Sequence, residues 1–157
     1  MDSRSRLLEI LREKSYQKKK VILASGRESD FYIDCRQTAL HAEGACLIGR
    51  LMYSMLTIGN KVEGVGGPTL GADPIVTAIS MTSFMEGNPI PAFIVRKEPK
   101  GHGTGQWIEG RKNLREGADV AVVEDVVTTG GSMLKAIERV TAEGFNVVRV
   151  LSLVDRE

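Results

Sequence analysis

Four short runs rich in valine and isoleucine, 62–66, 90–95, 118–123 and 147–154, punctuate the second half of the chain, with helical spacing at about 73–86 and 132–143 between them. Strands that alternate with helices build a parallel sheet through right-handed crossovers. An α/β fold with a central parallel sheet flanked by helices is therefore predicted. Its ligands should gather beyond the carboxyl ends of the strands. A further helix over about 41–57 starts at His41, carries Leu47, Ile48, Leu51, Met52, Met55 and Leu56, and is closed by Gly59 and Asn60. The first 40 residues have another rhythm. Leu7, Leu8, Ile10 and Leu11 predict an amphipathic helix over about 3–14. Lys18, Lys19 and Lys20 follow, as a solvated connector or a phosphate-steering patch. Two short strands, 21–23 and 30–34, then flank a turn at Ser25-Gly26-Arg27. These elements form a small N-terminal cap, or hood, of about residues 1–40 on a core of about 41–157, within a single domain over 1–157.

A chain of 157 residues can bury such a core unaided. Lys and Arg number 21 against 20 Asp and Glu, so the net charge of +1 offers no global field for nucleic acid or a membrane. Any anion site must be local. Cys35 and Cys46 have no metal-ligand spacing and read as reduced and mainly structural. The first residues alternate charged with apolar side chains, unlike a signal peptide, and no run approaches the roughly 20 apolar residues of a membrane span. A soluble, cytoplasmic protein is expected.

The segment from Val120 to Ser132, VAVVEDVVTTGGS, carries the chemistry. It reads as a buried strand, two acids, a hydroxyl- and glycine-rich turn, then a helix. The glycines let backbone N–H groups approach a ligand, and Thr128, Thr129 and Ser132 add hydroxyl donors at a helix N-terminus, which makes a phosphate cradle. Glu124 and Asp125 are placed to accept hydrogen bonds from the vicinal hydroxyls of a ribose. The acids precede the glycines, so dinucleotide-binding and P-loop patterns fit poorly. The bland alternative is a βα turn with Ser132 or Thr129 merely capping the helix.

This run resembles the signature of the type I phosphoribosyltransferases, which bind phosphoribosyl pyrophosphate (PRPP). Two further segments resemble the orotate phosphoribosyltransferases within that family: Leu23 to Asp34 is similar to their cap hairpin, and Arg96-Lys97-Glu98-Pro99-Lys100-Gly101-His102-Gly103 to their mobile lid. With Gly66 to Ala72 as the pyrophosphate-side loop, the resemblance covers nearly the whole chain. It implies the type I phosphoribosyltransferase fold and a Mg²⁺-dependent pentosyltransferase joining orotate to the ribose of PRPP in pyrimidine (UMP) biosynthesis. PRPP would be bound by Arg96, Lys97, Lys100 and His102 and by Glu124, Asp125, Val126, Val127, Thr128, Thr129, Gly130, Gly131 and Ser132. Lys100 and Asp125 are the implied catalytic residues. Orotate would meet Thr128, Arg156, Tyr32 and Ile33, with Tyr32 and Ile33 equally readable as ordinary strand residues. Mg²⁺ would be carried mainly by PRPP and water, because no cluster of protein ligands is visible. The resemblance also implies a homodimer whose lid reaches the neighbouring site.

Each segment has its own physical reading. The lid sets four basic side chains among glycines and a proline, suited to closing over a polyanion. Asp73 and Pro74 read as N-cap and first helical residue, with catalysis the lesser option for Asp73. Arg156 offers a planar guanidinium for a planar carboxylate. Trp107 is expected to pack at the base of the lid. Many relatives carry lysine where this chain has Ala24 and Gly71, which removes charge contacts. Relatives also usually continue past Arg156, so a loosely held Arg156 is an expectation. Two rival readings are a phosphoribosyltransferase for another base, which gives no reason for Arg156, and a PRPP-sensing module without turnover, which has no need of the lid.

Overall fold

The computed structural model describes residues 2–23, 26–99 and 105–156. The predicted first helix is one rod: α1 (Ser3–Ile10) continues into a wider π turn through Leu11–Ser15. Asp2 caps it, its Oδ1 accepting from the amides of Arg4 at 2.8 Å and Ser5 at 3.0 Å. Leu7 and Ile10 bury, whereas Leu8 faces solvent.

The cap pairs differently from expectation. Strand β1 (Tyr16–Gln17) is followed by β2 (Val21–Ile22), β3 (Glu28–Ser29) and β4 (Tyr32–Ile33). β2 pairs with β3, while β4 turns back onto β1, in two separate antiparallel ladders. Ser29 causes the break: its Oγ donates to the Phe31 carbonyl at 2.9 Å and accepts from the Phe31 amide at 3.3 Å, a local turn that competes with the ladder. The Phe31 ring then stacks on Tyr16 with centroids 5.8 Å apart.

A short helix α2 (Arg36–Ala39) leads into α3 (Ala42–Leu56), whose N-cap is His41, with Nδ1 accepting from the Gly44 amide at 3.3 Å. The core then follows as β5 (Gly64–Pro68), α4 (Asp73–Met85), β6 (Ala92–Val95), β7 (Ile108–Glu109), a 3₁₀ turn at Arg111–Asn113, β8 (Asp119–Val127), α5 (Gly131–Ala142) and β9 (Asn146–Asp155). The sheet order is β7-β6-β5-β8-β9. The three pairings among the four predicted strands are parallel, as expected, and β7 adds an antiparallel edge beside β6. A strand of two residues carries too little periodicity to be seen in sequence.

Side chains of β8 alternate between two cores. Ala121 and Val123 pack with α1, α3 and α4 through Ile10, Ile48, Met52, Ile75 and Ile79, whereas Val120 and Val122 pack with Phe93, Ile108, Met133, Val140 and Phe145 on the α5 side. β8 also runs beyond the predicted end at residue 123, because β9 continues beside it: Glu124 lies opposite Ser152, and Val127 opposite Asp155. That extension fixes the two acids on a paired strand rather than in a loop.

Candidate active site

A cleft of about 310 Å³ opens beyond the carboxyl ends of β5 and β8, between Glu124, Asp125, Ser132, Gly71, Lys97 and the cap residues Tyr32 to Asp34. The β8 alternation sends the two acids to opposite sides of it. Glu124 continues the α5 face and sits beside Ser132, while Asp125 stands against Gly71 and near Cys35.

Glu124 is 6% exposed, and its Oε2 is buried without a hydrogen-bond partner among the described residues. Burial, opposed by the Ser132 hydroxyl and reinforced by the Asp125 charge, pushes its carboxyl up to about 7. An acid with an unused buried oxygen is poised to accept a ligand hydroxyl. Asp125 is half-buried and accepts from the Val126 amide at 2.9 Å through Oδ1. The same burial, with Asp125 and Asp34 nearby, raises the Cys35 thiol to about 12, so Cys35 is an inert core group. Cys46 is free and exposed on α3, which corrects its reading as structural.

The turn between β8 and α5 keeps Thr128 and Thr129 exposed, and Gly130 takes the left-handed conformation at φ 79°. No side chain caps α5. The capping alternative for Thr129 and Ser132 is thereby removed, and the first-turn amides of Gly131 and Ser132 face outward with the positive end of the helix dipole. Val126 and Val127 contribute backbone on the last part of β8.

Across the cleft, the loop after β5 contains a cis Thr69–Leu70 peptide. Asp73 corrects its reading as an N-cap: Ala72 holds that place, and Asp73 is the first helical residue, its Oδ2 accepting from the Thr69 hydroxyl at 2.8 Å. A carboxylate one residue inside the helix reaches back along its own loop instead of over the first turn. Gly71 packs its backbone directly on the Asp125 carboxylate.

A second, smaller pocket of about 150 Å³ lies between Leu23, Arg27, Ser29, Phe31, Thr128 and Arg156. Arg156 is firmly seated, contrary to the expectation of a loose residue. Its amide donates to the Val127 carbonyl at 2.9 Å, its Nη2 donates to Ser29 Oγ at 2.6 Å and the Phe31 carbonyl at 2.9 Å, and its guanidinium lies 4.4 Å from the Phe31 ring centroid. Tyr32 and Ile33 line the central cleft instead of this pocket. Period-two alternation gives the pocket to Phe31, and the Tyr32 ring is covered by Lys19 Nζ at 4.9 Å. Phe31, Ser29 and Arg27 were not singled out in sequence, although Phe31 alternates with Tyr32 inside a hairpin already recognised.

The basic segment after β6 has well-fixed roots. Arg96 pairs with Glu109 at 2.8 Å, and its carbonyl accepts from Arg139 Nη1 at 2.8 Å. The Trp107 ring lies 4.1 Å from the Arg139 guanidinium, and its amide donates to Glu143 Oε1 at 3.1 Å. Trp107 thus packs where the sequence placed it. Lys97 is exposed at the edge of the central cleft. Lys100 and His102 lie outside the described residues.

An acid pair and an uncapped glycine turn at the head of a helix, at the carboxyl edge of a mostly parallel sheet, define a protein that holds a phosphorylated sugar. A family model described as "Phosphoribosyl transferase domain" matches residues 36–157. The orotate phosphoribosyltransferase of Sorangium cellulosum is 52% identical over 153 residues, covering 98% of this chain and 80% of that protein. The crystal structure of Mycobacterium tuberculosis orotate phosphoribosyltransferase with Fe(III) dicitrate superposes with a TM-score of 0.84 at 44% identity, over 99% of this chain and 85% of that one. The same enzyme in complex with PRPP has a TM-score of 0.78 at 42% identity, over 99% and 84% of the two chains. The chain belongs to the phosphoribosyl transferase family, in its orotate phosphoribosyltransferase branch. Among the described residues no helix is long and apolar enough to cross a membrane.

Proposed function

We propose that this chain transfers the 5-phosphoribosyl group of PRPP to orotate, yielding orotidine 5'-monophosphate and pyrophosphate in the formation of UMP. The observation that carries the reading is a pair of pockets served by one β8–α5 connection: the central cleft holds the acids and Ser132 of the uncapped α5 terminus, and the smaller pocket, lined by Thr128, holds Arg156 against Phe31. A phosphorylated ribose fills the first, and a flat, anionic base fills the second. Arg156 spends Nη2 on Ser29 and Phe31, which leaves Nε and Nη1 for the orotate carboxylate.

In the reaction the base nitrogen attacks the anomeric carbon as pyrophosphate leaves, and positive charge builds on the sugar. The amides and hydroxyls from Thr128 to Ser132 hold the 5-phosphate, while Glu124 and Asp125 accept from the ribose hydroxyls and orient the sugar. The Asp125 carboxylate also lies near the developing cation. Lys97, with Lys100 and His102, meets the departing pyrophosphate, and closure of the 96–103 segment excludes water that would hydrolyse PRPP. No protein nucleophile takes part.

Mg²⁺ fits the donor set as a passenger of the substrate. Among the described residues no group of three His, Cys, Asp or Glu is arranged to hold an ion, whereas the carboxylate oxygens of Glu124 and Asp125 face the cleft. When bound, the ion neutralises pyrophosphate charge.

We place the working enzyme in the cytoplasm as a homodimer. An apolar groove supports the assembly: Leu40, Leu70 and Met81 line it and are 74, 59 and 62% exposed, beside Phe84 at 74%. The test of function is direct: purified protein is mixed with Mg²⁺, PRPP and one of orotate, uracil or adenine, and base consumption is followed. Turnover of orotate alone is expected, and efficient use of uracil or adenine would sink the assignment.

A further inference from the structure

A second cleft of about 290 Å³ adjoins the first on the α5 side. Pro68, Thr69, Lys97 and Ser132 line both, so the two share a wall. Beyond that wall the second cleft is built from Arg96, Lys135 and Arg139, and no acidic side chain lines it. Arg96 is compensated by Glu109. Lys97, Lys135 and Arg139 have no ion-pair partner among the described residues, a local excess of three positive charges in a chain whose net charge is +1. Such concentration in a concave wall focuses field onto anions.

The placement follows from the helix. Lys135 and Arg139 stand three and seven positions after Ser132, on the same face of α5 as the end that presents free amides. Arg139 is preorganised, fixed between the Arg96 carbonyl and the Trp107 ring, while Lys135 is exposed, with a long flexible stem and no ion-pair partner among the described residues. None of this is needed to hold the ribose, its 5-phosphate or the base.

We infer that this cleft is a separate pyrophosphate subsite, in which the leaving group is held by Lys135 and Arg139 after it has parted from the ribose. The hydroxyls of Thr69 and Ser132 and the Lys97 ammonium lie on the shared wall, so the anion moves across without leaving the reach of donors. The inference rests on the proposed reaction, which supplies pyrophosphate. It assigns to α5 two tasks, at its end and along its flank.

Titration calorimetry at fixed ionic strength tests it, with pyrophosphate, inorganic phosphate and PRPP each added with Mg²⁺ to the parent, to Lys135→Ala, to Lys135→Glu and to a remote charge control, Lys112→Glu. Loss of one exposed charged contact should weaken pyrophosphate about five- to tenfold in Lys135→Ala, and more in Lys135→Glu, with PRPP within twofold of the parent. Inorganic phosphate should bind more weakly than pyrophosphate and respond less to the variants. Pyrophosphate affinity unchanged in both Lys135 variants overturns the subsite, as does an equal loss in Lys112→Glu. An equal loss for PRPP overturns it too, since Lys135 would then belong to the substrate site. Failure of the parent to bind PRPP at all strikes the proposed reaction instead, and is read from its own titration.

Discussion

The backbone of Gly71 rests on the carboxylate of Asp125: a β-carbon at position 71 would lie 2.6 Å from Asp125 Oδ1 and nearer still to the rest of the group. The loop after β5 and the acid at the end of β8 are therefore one mechanical unit. Gly71→Ala should push Asp125 aside and raise the PRPP KM about tenfold or more, with the orotate KM within a few-fold. Steady-state kinetics in both substrates would check this, and an unchanged PRPP KM would show that the loop yields instead.

Glu124 makes stability depend on pH. Its folded pKa of about 7 lies above the ordinary 4.5. The protonated form is thus the one the fold favours: its contribution is fully present below pH 4.5 and is lost as pH rises through 7. A shift of that size corresponds to about 3 kcal/mol. Glu124→Gln should melt with the parent at pH 5 and roughly 5–10 °C above it at pH 8.5, without ligand. Thermal melts across that range decide the matter, and parallel curves would refute it.

The phosphate turn gives a plainer expectation. Thr128→Val and Thr129→Val remove hydroxyl donors, and Asp125→Asn removes a charged acceptor, each costing about 1–3 kcal/mol of PRPP binding. All three variants should fold, because Thr128 and Thr129 are exposed and Asp125 sits at the cleft wall. PRPP titrations indistinguishable from the parent would take this turn out of the site.

Arg156→Ala should raise the orotate KM by about ten- to a hundredfold, the worth of a charge-assisted contact, and the PRPP KM far less. It should also loosen the cap, since the same side chain holds Ser29 and Phe31. Faster amide exchange at residues 28–33 would report that second effect, and Arg156→Lys, which lacks the flat fork, should restore neither.

Lid exchange between subunits is tested by mixing two inactive variants, Lys100→Ala and Asp125→Ala. Random subunit exchange should recover up to roughly a quarter of parental activity through one intact composite site. A mixture that stays inactive after exchange, verified with differently tagged subunits, would mean that each lid serves its own chain.

The parallel sheet and the phosphate turn were legible because each is written in contiguous residues: valine-rich runs for β5, β6, β8 and β9, and acids, hydroxyls and glycines in register from Glu124 to Ser132. Features set by a single side-chain hydrogen bond, or by an element too short to show a period, were not. Ser29 diverts the cap hairpin through a local hydroxyl turn, β7 is too short to show a period, and Asp73 prefers Thr69 to its own helix end. The partition of the pockets, with Phe31 rather than Tyr32 beneath Arg156, is a matter of strand phase that one misplaced pairing reverses. Lys135 and Arg139 had a signal in their helical spacing from Ser132, visible once α5 is known to start at Gly131.

The clasp between Arg156 and Ser29 joins positions 127 residues apart. During synthesis the cap residues Ser29 and Phe31 emerge early but lack this clasp until Arg156, after β9, has left the ribosome. The pocket between the cap and Arg156 is consequently completed only after the turn between β8 and α5 has been made. On the proposed reading of the two pockets, the elements for a sugar phosphate are made before those that distinguish one base from another, and discrimination waits for Arg156.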